Sequence, residues 1–324
     1  MMKPSKIRQT YPTVMLGLLF CGLGLLWPAA EYRRPLSVAV GIWPGSEGLI
    51  LAERSFNASE RRLNLVEMSW PTAVMGAFRR RVVHAAVVTL DEMMRLEAEG
   101  FKLRAVMVLG ESKGSDAVLG RATVSTFNDL RGKSVGVELK TSGEHLLLRA
   151  LVAHGMTLED VHIVPLNVAE TEVAFDYKEL DAVVTPDPWR TRMQGKGAKV
   201  LYDSSQVGLA MSRVLVIHED ALIVYQEEIR LLVSACLARN VELGSGQTIE
   251  GMQTILRREG LDLSQWQEIK GMIHFPDRKE NLRLMKQSRE GLDQSMKEIL
   301  SKGLLPHGSK TEALLDSNFL EEAE

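Results

Sequence analysis

Short, continuous runs of apolar residues recur along the middle of the chain and are rich in Val, Ile and Leu. A strand that is buried on both faces shows such a run rather than an alternation of polar and apolar positions. The pattern therefore predicts buried strands in mostly parallel sheets. The runs are LSVAVGIW (36–43), LNLVEM (63–68), AAVVT (85–89), LRAVMVL (103–109), DAVLG (116–120), SVGVEL (134–139), VHIVPL (161–166), DAVVT (181–185), AKVLYD (198–203) and RVLVIH (213–218).

Segments with helical periodicity lie between most of these runs, and several of them end in a glycine, as the C-terminus of a helix often does. Strands that alternate with helices form right-handed crossover units, so the pattern predicts an α/β fold. The predicted strands are too many for one small sheet. From about Glu219 onward the apolar runs stop and the periodicity is helical, which predicts a helical C-terminal tail.

Composition places the chain among ordinary globular proteins. The 324 residues suffice for two domains, and 45% are hydrophobic and 25% charged. The formal net charge of −3 provides no basic field, so we expect no nucleic-acid partner.

The N-terminus departs from this average, because basic residues precede an apolar stretch that ends in Pro-Ala-Ala at residue 30. This pattern predicts an export signal within residues 1–34, and a periplasmic or extracytoplasmic location. A cleaved signal peptide and a retained inner-membrane anchor at residues 13–30 are both open. Cys21 also allows a lipidated form, although Phe20 is larger than the residue that lipid attachment requires.

Cysteine usage limits the chemistry of the exported region. Cys21 and Cys236 are the two cysteines of the chain, so the region after the signal has one thiol and no internal disulfide. Cys236 lies in an apolar-periodic helix, where we expect a buried, unreactive thiol.

One phrase occurs twice, as AVVTLD at 86–91 and as AVVTPD at 182–187. Each copy is a buried strand followed by a threonine and by an acid that opens the next helix. Ligands of open α/β sheets bind beyond the carboxyl ends of the strands. The repeat therefore predicts two sheets that present equivalent strand ends to one ligand, unless each Asp only caps its helix.

The order and spacing of several motifs resemble the periplasmic solute-binding proteins of the nitrate/sulfonate/taurine type, which serve ABC importers. VAVGIWPGSEGLILAERSF resembles their first strand, turn and helix, and TFNDLRGKSVGVELKTSGEH resembles the start of their second lobe. ELDAVVTPDPWR is similar to their Glu-Pro-Trp turn, with Asp187 in place of Glu, and His84 stands where the family usually has Asp.

This resemblance implies the two-lobe, type II periplasmic-binding-protein fold, in which each lobe is a mainly parallel sheet flanked by helices. The first lobe would comprise residues 35–115 and 207–324, and the second lobe residues 116–206. The chain would cross between them near 114–119 and near 207–215. The implied partners are a small-molecule solute, an ABC permease and its ATPase, with the protein as a monomer and without a cofactor.

Residues at matching strand ends are the candidate ligand contacts, because a clamp of two lobes closes through contacts to both. From the first lobe these are Trp43, Pro44, Ser69, Trp70, Thr89 and Asp91. From the second lobe they are Thr141, Ser142, Glu144, Asp187 and Trp189.

The candidates suggest two kinds of recognition. Thr141 and Ser142 open a helix, whose positive end suits an anion or a carbonyl group. The indoles of Trp43 and Trp189 together with the acids Asp91, Asp187 and Glu144 favour a cationic or amine-bearing ligand, or a heterocycle with N–H donors. The same hydroxyls and acids are also compatible with ordinary helix capping.

Sequence motifs of catalysis do not occur. The seven His residues show no metal-ligand spacing, and the chain has neither a nucleophile elbow nor a phosphate-binding loop. We therefore predict no catalytic residue, no metal and no enzymatic activity. Two alternatives remain: an enzyme of the same fold, of the thiamine-pyrimidine or menaquinone-pathway type, and a membrane-anchored ligand-sensing head.

Overall fold

The structure, a computed structural model, describes residues 34–55, 63–177, 179–245, 251–287 and 314–321. The chain divides into two units, 1–35 and 36–324, and every described strand and helix belongs to the second. The predicted export signal or anchor and Cys21 lie outside the described residues. Over the described ranges, no helix has the length and apolar character needed to cross a membrane.

Eleven strands form two sheets in the described part of the chain. The first sheet has the order β11-β4-β10-β3-β1-β2, and the second has the order β7-β6-β8-β5-β9. The strands are β1 (Leu36–Gly41), β2 (Leu63–Met68), β3 (Ala85–Thr89), β4 (Leu103–Ser112), β5 (Asp116–Gly120), β6 (Ser134–Val137), β7 (His162–Pro165), β8 (Ala182–Pro186), β9 (Lys199–Asp203), β10 (Ser212–His218) and β11 (Ile273–His274).

Helices connect the strands and form the C-terminal region. The helices are α1 (Glu47–Ser55), α2 (Pro71–Arg79), α3 (Leu90–Ala98), α4 (Ser142–Ala153), α5 (Thr171–Asp176), α6 (Trp189–Gly195), α7 (Glu219–Val224), α8 (Gln226–Gly244), α9 (Met252–Glu259), α10 (Leu263–Lys270), α11 (described over 278–287) and α12 (Asn318–Glu321). The predicted α/β fold with two sheets, flanking helices and a helical C-terminal region is therefore confirmed. The two-residue strand β11, which interrupts the helical region, was not predicted.

The strand directions show why the sheets are only mainly parallel. In the first sheet β1 to β4 run in one direction, whereas β10 and β11 run in the other. In the second sheet β5 alone opposes its neighbours. Both β5 and β10 are strands that arrive from the other sheet. Each inserts between strands of the sheet that it joins.

The chain leaves the first sheet after Ser112 and enters the second at Asp116, and it returns between Asp203 and Ser212. Each sheet has its own large apolar cluster, built on β1, β3, β4 and β10 in the first and on β5, β6 and β8 in the second. The lobe limits 35–115, 116–206 and 207–324 stay a prediction.

A buried ion pair joins the two sheets at these crossings. Arg213, at the start of β10, donates through both terminal nitrogens to Asp116, at the start of β5, over 2.9 and 2.8 Å. The guanidinium carbon lies 3.8 Å from the ring centroid of Trp43, whose indole nitrogen donates to the Ser115 hydroxyl over 3.1 Å. Fork-to-fork geometry of this kind is both strong and directional.

The pair predicts a large loss of stability when one partner is removed. We expect Asp116→Asn to lower the free energy of unfolding by about 3 kcal/mol or more, because the Arg213 charge would stay buried without a counter-charge. Urea unfolding followed by circular dichroism measures the change. Asp220→Asn is the matched control: it breaks an ion pair with Arg81 that is far more exposed, so about 1 kcal/mol or less is expected. Equal losses in the two variants would contradict the prediction.

Candidate functional site

Two adjoining pockets form a cleft between the sheets. Their volumes, which include space open to solvent, are about 480 and 330 Å³. Both are lined by the starts of α2 and α4, and by Val168, Pro186 and Arg213. Because these groups come from both sheets, a molecule in the cleft would contact both at once.

Trp43 lines the larger pocket and follows Ile42 after the end of β1. Its side chain is 3% exposed, and it stacks on Arg213 as described for the crossing. A Cβ on Gly45 would come within 2.0 Å of the ring, so glycine is required there. The indole is thus held in place by the protein itself, and its predicted role as a stacking surface for a ligand stays a prediction.

Trp70 and Trp189 also line the cleft, one from each sheet. Trp70 follows β2 and precedes α2, and its side chain is half-buried. Trp189 begins α6 and is 6% exposed, with the Arg192 guanidinium 5.7 Å from its ring centroid. Each sheet thus contributes at least one tryptophan to the residues that line the cleft.

Glu92 belongs to the first sheet but reaches the second. One carboxylate oxygen accepts from the backbone N–H of Thr89 over 2.9 Å, which completes a capping box at the start of α3. The other oxygen accepts from the backbone N–H of Ser142 over 3.0 Å. The carboxylate therefore occupies the positive end of α4. Burial, with nearby Asp91, raises the pKa of Glu92.

Glu138 makes the reciprocal contact from the second sheet. It follows β6, and one of its oxygens accepts from the backbone N–H of Thr72 in the first turn of α2 over 2.8 Å. Its second oxygen accepts from Val168 N–H over 3.0 Å. Burial raises the pKa of Glu138 as well, against the effect of these hydrogen bonds. Each sheet thus supplies a carboxylate that caps a helix of the other.

A third bridge lies beside the cleft. Arg95 of α3 donates to Glu144 of α4 over 3.2 Å, and the same oxygen of Glu144 accepts from the backbone N–H of Lys140. Both side chains of this ion pair are largely buried. Glu144 is thus engaged across the two sheets rather than turned into the pockets.

The structure places the predicted ligand residues in two groups. Those that line the cleft are Trp43, Ser69, Trp70, Thr89, Thr141, Ser142 and Trp189. Those that are not among its lining residues are Pro44, Asp91, Glu144 and Asp187.

The repeated phrase accounts for the positions of Asp91 and Asp187 in this division. In both copies the threonine, Thr89 or Thr185, lines the cleft. Asp91 accepts from the Thr89 hydroxyl over 2.5 Å, and Asp187 accepts from the hydroxyl and the backbone N–H of Thr191 over 2.7 and 3.0 Å. Both acids are fully buried and bonded to their own helices.

Four charged residues of the cleft were missed by the sequence analysis, namely Glu92, Asp116, Glu138 and Arg213. A signal for three of them exists, because Asp116, Glu138 and Arg213 are charged residues at the ends of otherwise apolar strand runs. Glu92 could be recognised as the fourth residue of a Thr-x-x-Glu capping box. None of these signals indicates a contact with the other sheet.

The cysteine among the described residues lies in α8. Cys236 is fully buried, which confirms the predicted burial, and burial raises the pKa of its thiol to about 12. Among the described residues no group of three or more His, Cys, Asp or Glu side chains could hold a metal ion.

Two α/β sheets joined by two chain crossings, with a cleft between them, define the two-lobe fold of periplasmic binding proteins. Solved structures share it at 12 to 17% identity, which shows the fold alone. One is the alkanesulfonate-binding protein SsuA of Xanthomonas axonopodis pv. citri bound to MOPS, with a TM-score of 0.71 over 88% of this chain and 99% of that one. Another is the periplasmic nitrate-binding protein NrtA of Synechocystis PCC 6803, with a TM-score of 0.71 over 90% and 88%.

The chain belongs to the NMT1/THI5-like family, whose model matches residues 62–238. A protein of Escherichia coli (strain K12) named for binding aliphatic sulfonates is 27% identical over 188 residues, which are 55% of this chain and 58% of that protein. A protein of Brucella abortus (strain 2308) named as a binding protein is 38% identical over 68 residues, or 21% of each chain. The matches thus span between about a fifth and three fifths of these relatives. The fold also occurs in the desulfurization enzyme DSZB, with a TM-score of 0.58 at 14% identity over 90% of this chain and 99% of that one, so the fold by itself does not decide between binding and catalysis.

Asp187 predicts a pH-dependent stability. Burial raises its pKa from 3.8 to about 7, against the opposing effects of Thr191 and Arg190. The folded protein therefore binds more protons than the unfolded chain between these pH values, and stability falls as pH rises through this window.

We expect Asp187→Asn to remove part of this dependence. Between pH 5 and pH 8, the loss of unfolding free energy should be smaller in the variant than in the wild type by about 2 to 4 kcal/mol. Urea unfolding at several pH values measures the difference. The contributions of the other buried acids cancel, because both proteins contain them. If the free energy of unfolding depends on pH in the same way in both proteins, the raised pKa of Asp187 would be contradicted.

Proposed function

We propose that the chain is the extracytoplasmic solute-binding component of an ABC importer, which closes its two lobes over a small organic or oxyanion solute and delivers it to a permease. The observation that carries the proposal is the cleft lined from both sheets. Membership of the NMT1/THI5-like family and the names of the sulfonate- and nitrate-binding relatives support it.

Contacts across the cleft support a clamp mechanism. The hydrogen bonds that Ser142 N–H donates to Glu92 and that Thr72 N–H donates to Glu138 are made only when the two sheets face each other closely. Opening would expose these carboxylates and helix ends to water, where each finds other partners. A solute that contacts both sheets adds its free energy to the closed state alone, so it shifts the population towards that state.

A solute screen tests the proposal. We expect at least one small solute among amines, pyrimidines, sulfonates and nitrate to raise the melting temperature, since a ligand that binds only the folded state stabilises it. Turnover of the bound solute, followed by mass spectrometry, would replace the proposal with an enzyme of the same fold. Absence of any shift across the panel would count against solute binding.

The two tryptophans test the position of the site. We expect Trp70→Ala and Trp189→Ala to weaken binding of the stabilising solute at least about tenfold, or about 1.4 kcal/mol, because each removes aromatic surface from the cleft. Isothermal titration calorimetry measures the affinity. Tyr177→Ala is the control, since its ring is 76% exposed and is not among the residues that line the cleft. Unchanged affinity in both tryptophan variants would place the site elsewhere.

The N-terminal segment distinguishes a free component from an anchored one. We propose that residues 1–34 direct export, and we expect mass spectrometry of the exported protein to find a new N-terminus near Glu31. Recovery of intact residues 13–30 in the membrane fraction would instead support an anchored protein, including the ligand-sensing head. A mass increase on Cys21 would indicate lipidation.

A further inference from the structure

The charged side chains that line the cleft are three carboxylates and one guanidinium. Glu92 lines the larger pocket, Asp116 and Glu138 line the smaller one, and Arg213 lines both. All four side chains are at least nine-tenths buried. Their hydrogen-bond partners therefore decide what kind of solute group the cleft can accept.

The positive groups of the cleft are already matched to negative groups of the protein. The N-terminal end of α4 holds the Glu92 carboxylate, and that of α2 holds the Glu138 carboxylate. Arg213 is committed to Asp116 by two hydrogen bonds and to Trp43 by stacking. An oxyanion would have to displace a buried carboxylate from one of these positions, or lie beside it unscreened.

The carboxylates, in contrast, keep capacity to accept hydrogen bonds. Each oxygen of Glu92 and Glu138 accepts one backbone N–H in the described structure, Glu138 also interacts with the Thr72 side chain, and a carboxylate oxygen has two acceptor sites. Donors on a solute can fill the remaining sites without breaking the contacts between the sheets. The rings of Trp70 and Trp189 lie along the same cleft, and aromatic faces attract cations and flat N–H-bearing groups.

We propose that the cleft selects a solute that presents N–H donors or a positive charge, such as an amine or an amidine, and that Glu92 and Glu138 exclude oxyanions. This inference rests on the proposed function, since it names the solute class of the same site. It also separates this chain from its sulfonate- and nitrate-binding structural neighbours, whose names denote anionic solutes.

Probes of matched shape and opposite charge test the inference. Benzamidine is compared with benzenesulfonate, and methylguanidine with methanesulfonate, by thermal shift and titration calorimetry at low ionic strength. We expect each cation to bind wild-type protein at least about tenfold more tightly than its sulfonate partner. Tighter binding of the sulfonates would overturn the inference and leave the proposed function intact.

Two isosteric variants show whether the carboxylates are responsible. In Glu92→Gln and in Glu138→Gln we expect cation affinity to fall about tenfold and sulfonate affinity to rise, so the preference narrows or reverses. Glu268→Gln removes one charge from an exposed position of α10 and should leave the preference unchanged. Circular dichroism and the melting temperature establish that each variant is folded.

The two variants also test the inference if no probe raises the melting temperature of the wild-type protein. If a sulfonate raises the melting temperature of Glu92→Gln or Glu138→Gln, the result would support the exclusion of oxyanions by the carboxylates. The inference would be overturned if the sulfonates bind no folded variant. It would also be overturned if sulfonate binding increases equally in the control Glu268→Gln.

Discussion

The paired side chains of Arg213 and Asp116 set the relation between the two sheets. Asp116 is the first residue and Arg213 the second residue of a strand that has just crossed from the other sheet, so the pair lies where both crossings meet. A buried guanidinium is unfavourable unless a counter-charge satisfies it with good geometry. The bidentate contact, covered by Trp43 and supported by Ser115, supplies that geometry. The cleft beyond it opens between strand ends whose positions this contact helps to define.

The reciprocal capping by Glu92 and Glu138 gives the cleft its second property. A helix N-terminus has unpaired N–H groups and a partial positive charge, which carboxylates satisfy well. Here each helix receives its carboxylate from the opposite sheet, so the bonds that cap the helices also hold the sheets together. Electrostatics and conformation are therefore coupled: whatever competes for these carboxylates acts on both the solute preference and the closure of the cleft.

Part of the cleft lining could be predicted from the ends of the strands. Trp70, Thr89, Ser142 and Trp189 were expected at the cleft and line it, since the carboxyl ends of strands in one sheet meet at one edge. Strand ends do not show that Asp91 and Asp187 accept hydrogen bonds from the Thr89 and Thr191 hydroxyls, because an acid near a helix start can cap that helix or face the ligand. The choice depends on neighbours that the local sequence does not name.

The sequence by itself determined the buried strands, the alternating helices, the two-sheet α/β class and the family resemblance. These follow from apolar periodicity and turn residues, which act over a few positions of the chain. Only the tertiary structure decided that Arg213 pairs with Asp116, 97 residues away, and that Glu92 reaches Ser142 across the cleft, 50 residues away. Such contacts join groups whose partners are determined by the packing of one sheet against the other, and no local pattern encodes these partners.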